Sequence, residues 1–188
     1  MKIYTKIGDK GETNLGNGSK TKKSSLRIDC YGTVDELNAN ISMLGEQYKK
    51  SPSTHPLHSE ITKAIFKIQK QLFEIGAELA LSSPLKNTKT INKEDVEVLE
   101  TDIDKFMNLL PPLHHFVLPG GHLTNSQAHI CRCVCRRAER ILCKLNDEAP
   151  VRADLLVYFN RLSDWFFAVS RCSIIIFDIE ELYWKGGD

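Results

Sequence analysis

The chain has 188 residues, of which 41% are hydrophobic and 26% charged, and a net charge of +1. That composition fits one soluble globular domain with its tails. A balance so near zero creates no global field for nucleic acid or an anionic membrane, and no apolar run approaches the roughly 20 residues of a membrane span. The N-terminus has neither an apolar signal core nor an acid-free Arg/Ser-rich transit stretch, so a cytoplasmic setting is expected. Of the six cysteines, Cys131, Cys133, Cys135 and Cys143 share one helical stretch, while Cys30 and Cys172 lie far from it. With no C-x-x-C pair, they read as reduced, mostly packed thiols rather than as a disulfide framework or a zinc site.

Residues 1–27 hold seven cations (Lys2, Lys6, Lys10, Lys20, Lys22, Lys23, Arg27) against two acids (Asp9, Glu12). Gly8, Gly11, Gly16 and Gly18 stand among hydroxyls and lysines. Glycines permit close backbone approach, and the mixture suits phosphate oxygens. Neither a G-x-x-x-x-G-K-[ST] loop nor a G-x-G-x-x-G turn after a strand is present. By composition alone the segment reads as a flexible basic tail.

Helical periodicity then takes over. The first helix is expected from about Thr33 to Gln47, with Thr33 and Glu36 as a capping box. Val34, Leu37, Ile41 and Leu44 form its apolar stripe, and Asp35 and Asn38 lie on another face. After a loop with two prolines, the second covers about Leu57 to Leu81, followed by a polar connection over 82–90. The third starts near Asn92, a good N-cap, carries Val96, Leu99, Ile103, Phe106 and Leu110, and stops at Pro111 and Pro112. Phe116 to Gly121 is a short apolar turn.

The fourth helix, Ala128 to Leu145, is two-faced. Ile130, Val134, Ala138, Ile141 and Leu145 fall at core spacing. Arg132, Arg136, Glu139 and Arg140, at i, i+4, i+7 and i+8, share the other side with His129 close by. Three guanidiniums around one carboxylate make either a solvated, salt-bridged surface or a polyanion site, because Arg forks match phosphate oxygens in bidentate geometry.

The fifth helix runs from about Pro150, which suits a first turn, to near Phe177. Leu155, Phe159, Leu162, Phe166 and Val169 form its core stripe. Asn160, Asp164 and Arg171 align on a different face beside Arg161. The tail ELYWKGGD is expected to be mobile or packed at an interface. Five long amphipathic helices without a convincing strand predict an all-α five-helix bundle in one domain: an arm over 1–27, the bundle over 33–178 and a tail over 179–188. A ferritin-like di-metal centre is not expected, since no Glu has a His three residues later.

Four segments carry a more specific signal: TKIGDKGETNL (Thr5 to Leu15), YGTVDELN (Tyr31 to Asn38), FVLPGG (Phe116 to Gly121) with CRRAER (Cys135 to Arg140), and FNRLSDWFF (Phe159 to Phe167). In order and spacing, over almost the whole length, they resemble the PduO-type ATP:cob(I)alamin adenosyltransferases. The resemblance implies a cobalamin adenosyltransferase-like up-down bundle with an extended N-terminal ATP-binding segment. It also implies transfer of the 5′-deoxyadenosyl group of ATP to a reduced corrinoid, cob(I)alamin or cob(I)yrinic acid a,c-diamide, with Mg²⁺ present and triphosphate released.

By the same resemblance Thr5, Lys6, Gly8, Thr13, Asn14 and Lys23 contact the nucleotide. Arg136, Arg137, Glu139 and Arg140 form the helix surface that faces ATP, with Asn160 as its partner on the last helix. Phe116 is the aromatic that excludes the lower axial base of cobalamin. Asp35 and Arg132 pair across the subunit boundary of a homotrimer. Mg²⁺ is held mainly through ATP phosphates, and a flavoprotein reductase and an adenosylcobalamin-dependent enzyme are the implied functional partners. The family's TKTGD reads TKIGD here, so a hydroxyl contact at Ile7 is lost. The alternatives are another helical nucleotide-binding phosphohydrolase and a non-catalytic cobalamin carrier.

Overall fold

The computed structural model describes Tyr4, residues 6–81 and residues 90–184. Thr5, most of the connection after the second helix (82–89) and residues 185–188 lie outside the described residues. Five helices carry the fold: α1 (Leu26–Lys50), α2 (Pro56–Leu79), α3 (Lys93–Asn108), α4 (Leu123–Glu148) and α5 (Ala153–Phe177). α1 packs between α2 and α4, α5 packs on the other side of α4, and α3 lies on α5.

The described part of the N-terminal segment forms defined structure, not the loose tail that composition suggests. A 3₁₀ turn over Ile7–Lys10 leads into a hairpin of β1 (Glu12–Asn14) and β2 (Lys20–Lys22). The strands are antiparallel, with Glu12 opposite Lys22, Thr13 opposite Thr21 and Asn14 opposite Lys20. Gly18 closes the turn at φ 83°, in the left-handed region that glycine enters without strain.

α1 begins earlier than its capping signal indicates. Thr33 lies inside the helix, where its Oγ1 donates to the Asp29 carbonyl at 2.8 Å, a back-bond that accommodates a mid-helix hydroxyl. The helix extends N-terminally because Cys30 continues the buried stripe of Val34, Leu37, Ile41, Leu44 and Tyr48. The cap expected at Asn92 forms in full. Asn92 Oδ1 accepts from the Asp95 amide at 3.0 Å, and Asp95 Oδ2 accepts from the Asn92 amide at 3.3 Å.

α5 starts at Ala153, so Pro150 stays outside its first turn. The approach is fixed instead by Arg152, whose Nε and Nη2 donate to Glu78 at 2.8 and 3.1 Å and whose Nη1 donates to the Ile91 carbonyl at 2.8 Å. On α4 the buried stripe is Cys131, Val134, Cys135, Ala138, Leu142 and Leu145, while Ile130 is exposed and Ile141 half-buried. The expected core face was turned by about one position, because Cys131 and Cys135 pack as small hydrophobes. All six cysteines are free thiols, with Cys30, Cys131, Cys135 and Cys172 buried.

Arg171 departs from expectation. It shares an azimuth with Asp164 one heptad earlier, yet it is 1% exposed where Asp164 is exposed. The cause lies at the chain end. After Asp178 turns at φ 51°, residues 179–184 fold back over this level of α5 and pair Tyr183 with Val117 in an antiparallel bridge. The described part of the tail is therefore packed against its own chain. Among the described residues no helix is long and apolar enough to cross a membrane.

Candidate active site

α4 is positioned by polar anchors on its buried side. Near its start, Thr124 Oγ1 meets Ser173 Oγ of α5 at 2.9 Å, and Asn125 Nδ2 donates to the Ser170 carbonyl at 2.9 Å. Asn125 Oδ1 also accepts from the Gly120 amide at 2.9 Å, so the same side chain ties the apolar turn to both helices. Toward α1, Gln127 Nε2 donates to the Asn40 carbonyl at 3.0 Å. These bonds fix the rotation of α4 and so fix which residues face outward.

Arg136, Arg137 and Arg140 are exposed and Glu139 is half-buried. Glu139 Oε1 accepts from Asn160 Nδ2 of α5 at 2.9 Å, which brings together two of the residues singled out in the sequence. Arg137 pairs with Glu36 of α1. Among the described residues Arg136 and Arg140 form no ion pair, so two guanidinium forks stand open to solvent on one helix face.

The arm approaches from the α1 side. Lys23, Ser24, Asp29, Gly32, Thr33 and Glu36 line a cavity of about 550 Å³. Glu36 thus borders the cavity and holds Arg137, linking the lysine of the arm to the Arg-rich helix. Lys23 lies over Gly8, where an added Cβ would stand 2.9 Å from Lys23 Nζ. The Lys23 amide donates to the Gly11 carbonyl at 2.8 Å. Lys6 is exposed at φ 61°, Thr13 is half-buried in the hairpin, and Asn14 is exposed. The hairpin is fastened to the bundle at the end of α2, where the Gly16 amide donates to the Ala80 carbonyl at 2.8 Å and Arg27 Nη1 to the Leu79 carbonyl at 3.1 Å.

Phe116 belongs to a different cluster. It is 78% exposed, and its ring meets Trp184 at 6.4 Å between centroids with planes 62° apart. Among the described residues no hydrogen bond or ring contact joins it to the guanidiniums. Asp35 is exposed and makes no ion pair within the described chain, while Arg132 Nε donates to His129 Nδ1 at 3.4 Å. Sequence reasoning read Glu36 as a capping-box residue and Arg27 as a cation of the arm, and missed their contacts with Arg137 and the Leu79 carbonyl and those of the 179–184 segment. The signal for Arg27 and Glu36 was weak, since a charged residue on an amphipathic helix says nothing about a partner distant in the chain.

In comparisons with known proteins, residues 3–173 match the family described as cobalamin adenosyltransferase. A corrinoid adenosyltransferase of Bacillus subtilis (strain 168) is 42% identical over 171 residues, which cover 91% of this chain and 86% of that protein. The corrinoid adenosyltransferase PduO of Citrobacter freundii is 40% identical over 173 residues, covering 91% of this chain and 49% of that protein. Among solved structures, a variant PduO-type ATP:corrinoid adenosyltransferase from Lactobacillus reuteri, complexed with cobalamin and ATP, matches with a TM-score of 0.87 at 30% identity. The match covers 98% of this chain and all of that one.

His129 gives this region a pH dependence. It is buried on α4, and its Nε2 has no hydrogen-bond partner. Burial, reinforced by the Arg132 charge and opposed by Glu181, pushes the imidazole down from 6.5 to about 4. Between those values the unfolded chain binds the proton and the folded chain does not. The His129 contribution is therefore fully present above about pH 6.5 and is lost as pH falls toward 4. Replacing His129 with Gln is expected to flatten the fall in unfolding free energy across that window, measured by urea denaturation. An unchanged slope would remove His129 as its source.

Proposed function

The chain belongs to the cobalamin adenosyltransferase family, and from that premise we propose which of its residues move the 5′-deoxyadenosyl group of ATP onto the cobalt of cob(I)alamin. In this displacement the electron pair on cobalt forms the new bond to C5′. The C5′–oxygen bond breaks, and its pair leaves with triphosphate. The corrinoid supplies the nucleophile. The protein's tasks are to hold C5′ in line and to neutralise charge gathering on the leaving group.

The observation that carries this assignment is the pair of unpartnered guanidiniums, Arg136 and Arg140, one turn apart on a fixed helix. They are free to fork onto phosphate oxygens, and Arg137 stands beside them, paired with Glu36 of the cavity lining. Glu139, oriented by Asn160, keeps a second carboxylate oxygen to accept from water or from the bound nucleotide. Lys6, Gly8, Thr13, Asn14 and Lys23 supply backbone and ammonium donors from the arm, with Thr5 preceding them in the chain. Among the described residues no three His, Cys, Asp or Glu side chains converge. A Mg²⁺ ion is assigned mainly to triphosphate oxygens and water, the oxygen-rich, water-retaining coordination that it prefers.

Phe116 is assigned to the lower face of the corrinoid. Its exposure leaves the ring available to a ligand, and an aromatic there keeps water and the axial base away from cobalt. Asp35 and Arg132, which make no ion pair with each other or with any other described residue, are assigned to pairing between copies in a homotrimer. The same reading sets the reaction in the cytoplasm, between a flavoprotein reductase and an adenosylcobalamin-dependent enzyme.

Three outcomes are expected. Arg136→Ala should lower kcat by roughly 10²–10³-fold, the range for losing one transition-state donor, with an unchanged circular dichroism spectrum. Near-normal turnover in the folded variant removes Arg136 from the site. Phe116→Ala should depress turnover strongly when cob(II)alamin must be reduced on the enzyme and far less when preformed cob(I)alamin is supplied. It should also shrink the four-coordinate Co(II) paramagnetic resonance signal with ATP bound, and full retention of that signal would make Phe116 only packing. The mass in solution at micromolar concentration should be that of three chains, and a monomeric mass contradicts the assembly.

A further inference from the structure

A buried ion pair lies away from the Arg-rich face. Arg171 is 1% exposed and the side chain of Glu181 is 7% exposed. Arg171 Nε and Nη2 donate to Glu181 Oε1 and Oε2 at 2.7 and 3.0 Å, forming a two-pronged pair, and Nη2 also donates to the Pro111 carbonyl at 2.9 Å. Tyr183 Oη donates to the same carboxylate at 2.6 Å. Burial alone would raise the Glu181 carboxyl, but hydrogen bonds from Arg171 and Tyr183 outweigh it and hold the group below its ordinary value.

Such a pair is weak evidence for stability, because desolvating two charges offsets most of their attraction and an apolar pair serves as well. A planar fork does something an apolar contact does not: it fixes direction. What it directs here is residues 179–184. That segment lies along the turn 116–121, with the Leu118 amide donating to the Leu182 carbonyl and the Trp184 amide to the Phe116 carbonyl, both at 2.8 Å. The two surfaces fit closely. An added Cβ on Gly120 would stand 2.9 Å from Leu182 Cδ1, and one on Gly121, at φ +79°, 3.2 Å from Ile179 Cδ1. The turn lies in no helix or named strand of its own, so this segment and Asn125 set its path.

We propose that Arg171 and Glu181 are positioning residues for the corrinoid: their buried fork pins residues 179–184, and that segment fixes where the Phe116 ring stands. The proposal rests on the assignment of Phe116 to the corrinoid above. Glu181→Gln tests it in the full chain, together with the double variant Arg171→Met/Glu181→Met, which leaves no buried charge if the single variant fails to fold. Trp165 is 0% exposed and Trp184 55% exposed, so acrylamide quenching of tryptophan emission reports on the segment directly.

With ATP and Mg²⁺ present, a folded variant should show increased quenching and a reduced four-coordinate Co(II) signal. Its KM for the corrinoid should rise at least about tenfold while the KM for ATP stays within about twofold, the pattern of a misplaced but intact group. Unchanged corrinoid KM and signal in a folded variant overturn the proposal, whether or not quenching rises. So does an equal rise in both KM values, which marks general loosening. Phe116→Ala run alongside separates the two levels. If it too leaves the corrinoid KM and the signal unchanged, the assignment of Phe116 has failed. If it alone alters them, only the positioning role has.

Discussion

Three guanidiniums within five residues repel one another, and α4 presents them on one exposed surface because its other side is wedged between α1 and α5. The magnitudes favour this. A like-charge pair one turn apart on a helix costs about 0.2–0.5 kcal/mol, whereas burying one aliphatic side chain contributes about 1.5–3 kcal/mol. Val134, Ala138, Leu142 and Leu145, all buried, therefore outweigh the repulsion several times over. The polar anchors at Thr124, Asn125 and Gln127 add little net energy, but they select the rotation of the helix, since each would be left unsatisfied in the core if α4 turned.

The same constraint explains why the charged face is incompletely neutralised. Glu36 and Glu139 engage Arg137 and Asn160, and nothing among the described residues engages Arg136 or Arg140. The carboxylate one turn from Arg136, Glu139, is engaged by Asn160, and Cys143 and Lys144, not a carboxylate, follow Arg140 at that spacing. The face keeps a local positive field that an anion can complete, at a modest cost that the packed side of the helix absorbs.

Much of this was legible in sequence because burial obeys the helical period. The stripes of α1 and α5 and the Asn92 cap are read directly from spacing, and the charged side of α4 follows in the same way. The failures share a physical cause. Thr33 carries a capping pattern that a buried stripe overrides. Cys131 and Cys135 pack like alanine or valine, which rotated the expected core of α4. Arg171 lies at a polar azimuth, but azimuth says nothing about which level along the helix another segment will cover. Glu36 meets Arg137 across a large stretch of chain, and periodicity is silent about such pairings. The four segments that resemble the family point to candidate residues, but not to the contacts that hold them.

The fastening of the hairpin at the end of α2 has an entropic consequence. The last carbonyls of a helix lack intrahelical partners; here Gly16 and Arg27 supply donors to two carbonyls at that end. The segment bearing Lys23 is thus a closed loop held at both ends rather than a tether fixed at one. A loose arm would surrender its conformational freedom on meeting a ligand, at about 1–2 kcal/mol per residue ordered. In this chain that entropy is already lost when the bundle folds; under the assignment proposed for the arm, a nucleotide would meet donors already held in place, and the gain would appear directly as affinity.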